Sequence, residues 1–168
     1  MTDHSTRGKG EGYMSNTLLL GFKGKNNLSG LLVKLLGGDS CLLTNSFSGL
    51  KKDIDAIGAG YDCAILFGTD RDLAGTVRIE GAAEKEGVRR FPLPDPEQAA
   101  ASFREAGLEA RVSDAPTAWL CNEAYWHLLG KFSGRAMLIH IPTAKNTDGL
   151  FLSRVQTALH CLKRRCAL

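Results

Sequence analysis

Three side chains in this sequence have the chemistry of an acyl-transfer centre: the thiol of Cys121, the imidazole of His140 and the carboxylate of Glu80. A thiolate can attack a carbonyl carbon, an imidazole can take and return the proton, and a carboxylate can hold the imidazole in the tautomer that does so. Cys121 precedes Asn-Glu-Ala-Tyr-Trp-His-Leu-Leu, in which Ala124, Leu128 and Phe132 recur at helical spacing with Tyr125 and Leu129 beside them. The thiol is therefore expected at a helix N-terminus, where free N–H groups and the dipole favour the thiolate and lower a pKa ordinarily near about 8.5. Taken alone, each residue also has a plain reading: a cysteine packed like an alanine, a core histidine with both nitrogens bonded, a solvated glutamate at a strand edge. His127 competes as a base, but it lies six residues along the same helix as Cys121 and points away from it. His160 falls in the terminal helix and His4 near the start of the chain.

The elements that must position these residues alternate. Residues 17–22 form a short apolar run, 27–36 a helical face, 40–47 a strand, 49–59 a helix with Leu50, Ile54 and Ile57 at helical spacing, and 62–68 a buried strand. Residues 69–96 carry Gly75, Gly81, Gly87, Pro92, Pro94 and Pro96 and are expected to be irregular, with a short extended piece at 77–80. Alternation resumes with a helix at 97–106, a strand at 108–113, a helix at 122–132, a strand at 136–141 and a last helix from about 148. Continuous apolar strands alternating with helices predict a single α/β domain, a three-layer α/β/α sandwich with a mainly parallel sheet. In such sheets ligands bind beyond the carboxyl ends of strands, which is where Cys121, His140 and Glu80 are expected.

Composition bounds the partners. A chain of 168 residues is long enough to bury a core without staples. The net charge of +3 comes from scattered basic residues, with short clusters only at Lys51-Lys52 and Lys163-Arg164-Arg165, so no nucleic-acid stripe is expected. Five cysteines at 41, 63, 121, 161 and 166 make an odd number with neither CxxC pairs nor metal-like Cys/His spacing. Reduced thiols, a cytoplasmic address and no metal follow. Leu152, Val155, Leu159, Leu162 and Cys166 form one apolar stripe, which makes Cys161 and Cys166 structural. No apolar run approaches a membrane span, and residues 1–15 lack the apolar segment of a signal peptide. They are read as a flexible leader before a domain at 16–168, with Met14 an alternative start.

Several motifs, in order along the chain, are similar to those of the pyroglutamyl peptidase I family of cysteine peptidases. Leu20-Gly-Phe22 and Asn27-Leu-Ser resemble the family's opening Gly-Phe and Asn-Pro-Thr. Val77-Arg-Ile-Glu80 resembles its glutamate-bearing segment, and Arg90-Phe-Pro92 its Arg-Ile-Pro. Ser113-Asp-Ala-Pro-Thr-Ala-Trp-Leu-Cys-Asn-Glu-Ala-Tyr resembles the nucleophile motif, and Leu138-Ile-His-Ile-Pro142 the segment around the histidine. The resemblance spans residues 17–166 and implies Cys121 as nucleophile, His140 as general base and then acid, and Glu80 as its orienting acid. It further implies the backbone N–H of Cys121 and the Arg90 guanidinium as oxyanion donors, Phe22 and Asn27 as substrate-binding residues, and no cofactor. The implied substrate is a small peptide blocked at its N-terminus by pyroglutamate; a homo-oligomer is left open, and neither nucleic acid nor membrane is expected as a partner.

The chain departs from the family pattern at the first loop. Where the family reads Gly-Phe-Glu-Pro-Phe-Gly-Gly, with aromatics that hold the lactam, this sequence has Gly21-Phe-Lys-Gly-Lys-Asn-Asn27. It is also shorter between Pro92 and Gly107 and has Gly81 where an arginine follows the glutamate. Two alternatives accompany the main reading: a related cysteine amidase for another small N-terminal acyl group, acidic and attracted by Lys23 and Lys25, and a non-catalytic binding protein on the same fold.

Overall fold

A computed structural model describes residues 16–165. The expected leader with His4 and Met14, and Cys166, lie outside the described residues. From the N-terminus, β1 (Thr17–Phe22), α1 (Leu28–Leu36), β2 (Ser40–Leu43), α2 (Phe47–Asp55) and β3 (Cys63–Thr69) follow in the anticipated alternation. Then come β4 (Thr76–Glu80) and two three-residue strands, β5 (Ala83–Lys85) and β6 (Val88–Arg90). The chain continues through α3 (Pro96–Glu105), β7 (Glu109–Ser113), α4 (Leu120–Lys131), β8 (Ala136–Ile141), a 3-10 turn at Ala144–Asn146 and α5 (Phe151–Arg165).

Six strands form one sheet in the order β2-β1-β3-β8-β4-β7, and β5 and β6 pair as a separate antiparallel hairpin. β2, β1, β3 and β8 run parallel, whereas β4 is antiparallel to β8 and carries β7 parallel to itself. The sheet is thus mainly parallel, as expected. Successive residues point to opposite faces. Met137, Ile139 and Ile141 of β8, with Ile65 and Phe67 of β3, pack with residues of α1, α3 and α5 on one face. Ala136 and Leu138, with Ala64 and Leu66, pack with residues of α2 and α4 on the other. Every residue of β1 and of β8 is buried, because helices cover both faces of these strands.

The middle of the chain is more ordered than its glycines and prolines predict. Gly87 at φ 77° closes the β5–β6 turn, and Pro96 opens α3 behind the capping residue Asp95. β2 stops at Leu43 rather than 47, since Ser46 caps α2 and the Thr44 N–H donates to Asp53.

α1 sits directly on β1 through two glycines. A Cβ at Gly21 would lie 2.5 Å from the Ser29 carbonyl oxygen, and one at Gly30 would collide with that of Phe22. Gly21→Ala should therefore lower stability by about 1–3 kcal/mol through overpacking. The expected reading is a lower urea midpoint at unchanged slope; an unchanged midpoint would mean that α1 moves off β1 freely.

Candidate active site

On β8 the alternation turns His140 toward the α4 face, in line with Ala136 and Leu138. On β4 it turns Arg78 and Glu80 the same way, because Val77 and Ile79 belong to the opposite core. The antiparallel register sets Arg78 opposite His140. Glu80 lies two residues further on, and its Oε1 is 2.7 Å from His140 Nδ1. Glu80 is 1% exposed and His140 4%, so water does not compete for this contact.

Cys121 reaches the other side of the imidazole. Gly68, paired with His140 across β3 and β8, leaves the space: a Cβ there would lie 2.7 Å from Cys121 Sγ and 3.2 Å from His140 Nε2. Thiol and ring nitrogen thus line the same gap above a residue that has no side chain.

The helix carrying Cys121 begins in an unusual way. α1, α2 and α3 are capped by the side chains of Asn27, Ser46 and Asp95, whereas the residue before α4, Trp119, makes no capping bond. Its backbone stands at φ 79°, ψ −162°, a region essentially reserved for glycine. The first-turn N–H groups of α4, that of Cys121 included, have no intrahelical acceptor and no cap, so they can receive a developing oxyanion. Two further side chains fix the helix. The Tyr125 hydroxyl donates to the Glu80 carbonyl at 3.2 Å. The Asn122 amide accepts from Glu84 N at 2.9 Å and donates to Glu84 O at 2.7 Å, which binds the β5–β6 hairpin to α4.

Electrostatics correct one expectation. The Cys121 thiol is not lowered: burial pushes it up, to about 12, the Glu80 and then the Asp70 carboxylates add to the rise, and Arg78 opposes it. The sulfur therefore rests as a thiol, and a nucleophile at this site must be generated by proton transfer to His140. The Tyr125 phenol is also raised by burial and Glu80, which keeps it a donor.

A cavity of about 790 Å³ opens beside the thiol, lined by Cys121, His140, Arg78, Asp70, Arg71, Asp72, Arg111, Trp119 and several small polar residues. Three expected binding residues lie elsewhere. The Arg90 guanidinium stacks 3.9 Å from the Trp126 ring centre, donates to the Trp126 carbonyl and touches Gly130, all further down α4 than Cys121. It is a structural clamp on the helix rather than an oxyanion donor. Phe22 is 3% exposed and packs in the apolar layer between β1 and α2, while Asn27 caps α1 by accepting from Ser29. Lys23 is engaged with Thr44 and Asp53 and does not line the cavity. His127 pairs with Glu123, which also takes Lys85, so it is not the base for Cys121.

Two residues of the site escaped the sequence reading, Arg78 and Asp70. Arg78 Nε donates to Glu80 Oε1 at 2.6 Å and Nη1 to Asp70 Oδ2 at 2.8 Å. The signal was present in the Arg-Ile-Glu spacing, since residues two apart on a strand share a face. Among the described residues no group of His, Cys, Asp and Glu could hold a metal ion, Cys41, Cys121 and Cys161 are free thiols, and no helix is long and apolar enough to cross a membrane.

Filling the gap should separate chemistry from folding. Gly68→Ala should lower turnover at least tenfold on any substrate that Cys121 attacks, with far-UV circular dichroism unchanged; full activity would show that the thiol and imidazole do not meet there. Alkylation tests the thiol directly. In His140→Ala, iodoacetamide labelling of Cys121 should climb through pH 10 without levelling, as a thiol near 12 demands. A plateau below pH 8 in that variant would contradict the raised value.

No protein-family model matches the sequence, and no curated protein matches it. Solved structures do. The chain superposes on pyroglutamyl peptidase I from Bacillus amyloliquefaciens with a TM-score of 0.72 at 19% identity, covering 92% of this chain and 95% of that one. Pyrrolidone carboxyl peptidase from Thermus thermophilus gives 0.70 at 17% identity, over 85% and 98% of the two chains. The enzyme from Thermococcus litoralis gives 0.70 at 16%, over 90% and 94%. At this identity the likeness is one of architecture: the chain has the fold of the pyroglutamyl peptidases along nearly its whole length.

Proposed function

We propose that this chain is a cysteine peptidase that removes an N-terminal pyroglutamyl residue from peptides, with Cys121 as nucleophile, His140 as base and then acid, and Glu80 as the orienting carboxylate. The observation that carries the reading is the imidazole bonded to Glu80 through Nδ1, with its Nε2 and the Cys121 sulfur facing the same gap above Gly68. The fold shared with the pyroglutamyl peptidases supports it.

As the sulfur attacks the acyl carbon, its proton passes to His140 Nε2, and Glu80 stabilises the imidazolium. The oxyanion is met by first-turn N–H groups of α4; one such donor is worth roughly 2.7–4 kcal/mol. His140 then protonates the leaving amine, and water, deprotonated by the same nitrogen, releases the acyl group. The reaction needs no metal or cofactor. Its partner is a short peptide with a blocked N-terminus, and the free thiols of Cys41, Cys121 and Cys161 suit a reducing compartment such as the cytoplasm.

One observation favours a second reading. Phe22 is in the core and the loop at 23–27 supplies no aromatic, while the cavity is lined by Arg71, Asp72, Arg78 and Arg111. A charged lining suits a cysteine amidase whose small acyl or leaving group carries charge. Fluorogenic pyroglutamyl, glutamyl and alanyl amides separate the two. The expected outcome is slow pyroglutamyl cleavage with a high KM, abolished by Cys121→Ala and His140→Ala and lowered about 10⁴-fold by Glu80→Gln. Cleavage of another N-terminal group alone changes the substrate and keeps the mechanism, whereas activity surviving Cys121→Ala removes both. No turnover on the whole panel would leave a binding protein on the same fold.

A further inference from the structure

The row of contacts does not stop at Glu80. Its Oε1 accepts from His140 at 2.7 Å and from Arg78 at 2.6 Å, and Arg78 continues to Asp70 at 2.8 Å. Oε2 is buried with no partner, so a single oxygen carries both contacts. Arg78 is 12% exposed at its side chain and, among the described residues, is the one arginine or lysine paired with this carboxylate. Asp70 belongs to the link between β3 and β4, and its Oδ1 is fixed by the Asp72 N–H. Arg78 reaches Glu80 from the same strand, Asp70 reaches Arg78 from the loop, and both line the cavity of Cys121.

We propose that Arg78 and Asp70 are positioning residues that extend the proposed Cys121–His140–Glu80 site into a five-membered row. The inference rests on that reading of the site. Charge explains the arrangement. With the proton on His140, the row reads Asp70 negative, Arg78 positive, Glu80 negative, His140 positive and Cys121 negative, so each charge has an opposite neighbour. Without Arg78, a carboxylate that is 1% exposed would lose its permanent cation in a site where an unpaired charge is strongly disfavoured. It would take up a proton, and a protonated Glu80 cannot stabilise an imidazolium. Arg78 also draws Glu80 Oε1 along the strand to the height of Nδ1, a geometric role that a planar guanidinium held at both ends by carboxylates can perform and a point charge performs less well.

The ionisable groups around Glu80 come from four elements. Arg78 is on its own strand, His140 on β8, Asp70 on the β3–β4 link, and Cys121 and Tyr125 on α4. On the β7 side its register partner is Ser113, which does not titrate. Tyr125 is raised and stays neutral, and Cys121 rests as a thiol. The loss that follows removal of Arg78 therefore falls on the Glu80–His140 contact.

Arg78→Met, Arg78→Lys and Asp70→Asn test the row, with pyroglutamyl-amide kinetics and Cys121 alkylation by iodoacetamide measured from pH 5 to 9. Arg78→Met should reduce kcat about 100-fold with KM within about twofold, and should move the acid limb of both kcat/KM and alkylation to higher pH. Arg78→Lys should recover at least about tenfold of the loss and most of the limb, and Asp70→Asn should show a weaker version of both effects. Wild-type kcat and an unmoved alkylation limb in Arg78→Met would overturn the proposal, as would a loss confined to KM. If Arg78→Met does not fold, Asp70→Asn decides, since it leaves the Arg78–Glu80 contact in place. Alkylation needs no substrate, so a wild type inactive on pyroglutamyl amides but with a limb that moves in these variants would sink the substrate and keep the row.

Discussion

A carboxylate has been placed where almost no water reaches it. Glu80 ends β4, one strand in from the sheet edge, beneath α4, and a charge at that depth persists only if other groups replace its hydration. Much of the surrounding architecture can be understood as meeting that demand. β4 runs antiparallel to β8, which brings Arg78 level with His140 and sets Glu80 within reach of both. α4 is tied down over it by Tyr125, whose hydroxyl takes the Glu80 carbonyl, so the helix bearing Cys121 is registered to the same residue that orients the imidazole. One buried acid thereby couples the sheet, the helix of Cys121 and, through Arg78, the loop after β3.

This dependence also explains the state of the thiol. The burial that isolates Glu80 from solvent disfavours a thiolate beside it, and the acid itself adds to the effect. A pre-formed ion pair and a deeply buried orienting carboxylate pull in opposite directions, and here the carboxylate prevails. Reactivity at Cys121 then belongs to the pair of groups rather than to the sulfur, and the alternation of charge through Arg78 is what makes the transferred state tolerable.

The sequence was most legible where periodicity and residue type agree. The strands 17–22 and 136–141 are found at those bounds, and the alternation of apolar strands with helices led directly to the sandwich. The trio of Cys121, His140 and Glu80 could be singled out because each is a reactive type at an element end. One premise of that choice does not hold: β4 runs opposite to β8, so Glu80 does not arise at the same sheet edge as His140. The short link from Asp70 to Gly75 held the clue, since a parallel connection requires a crossover of about a dozen residues or more. Arg90, Phe22 and Asn27 were placed in the site by likeness of motif, and each is engaged elsewhere by packing or capping that linear order does not reveal. The raised thiol was equally out of reach, because helix position is written in the sequence whereas depth of burial is not.

The two hydrogen bonds between Asn122 and the backbone of Glu84 make the side chain of the residue after the nucleophile behave as a short extra strand against β5. The hairpin is therefore mechanically a handle on the first turn of α4. The hairpin lies outside the main sheet, so the first turn of α4 is braced by it on one side while Tyr125 ties the same helix to Glu80 on the other.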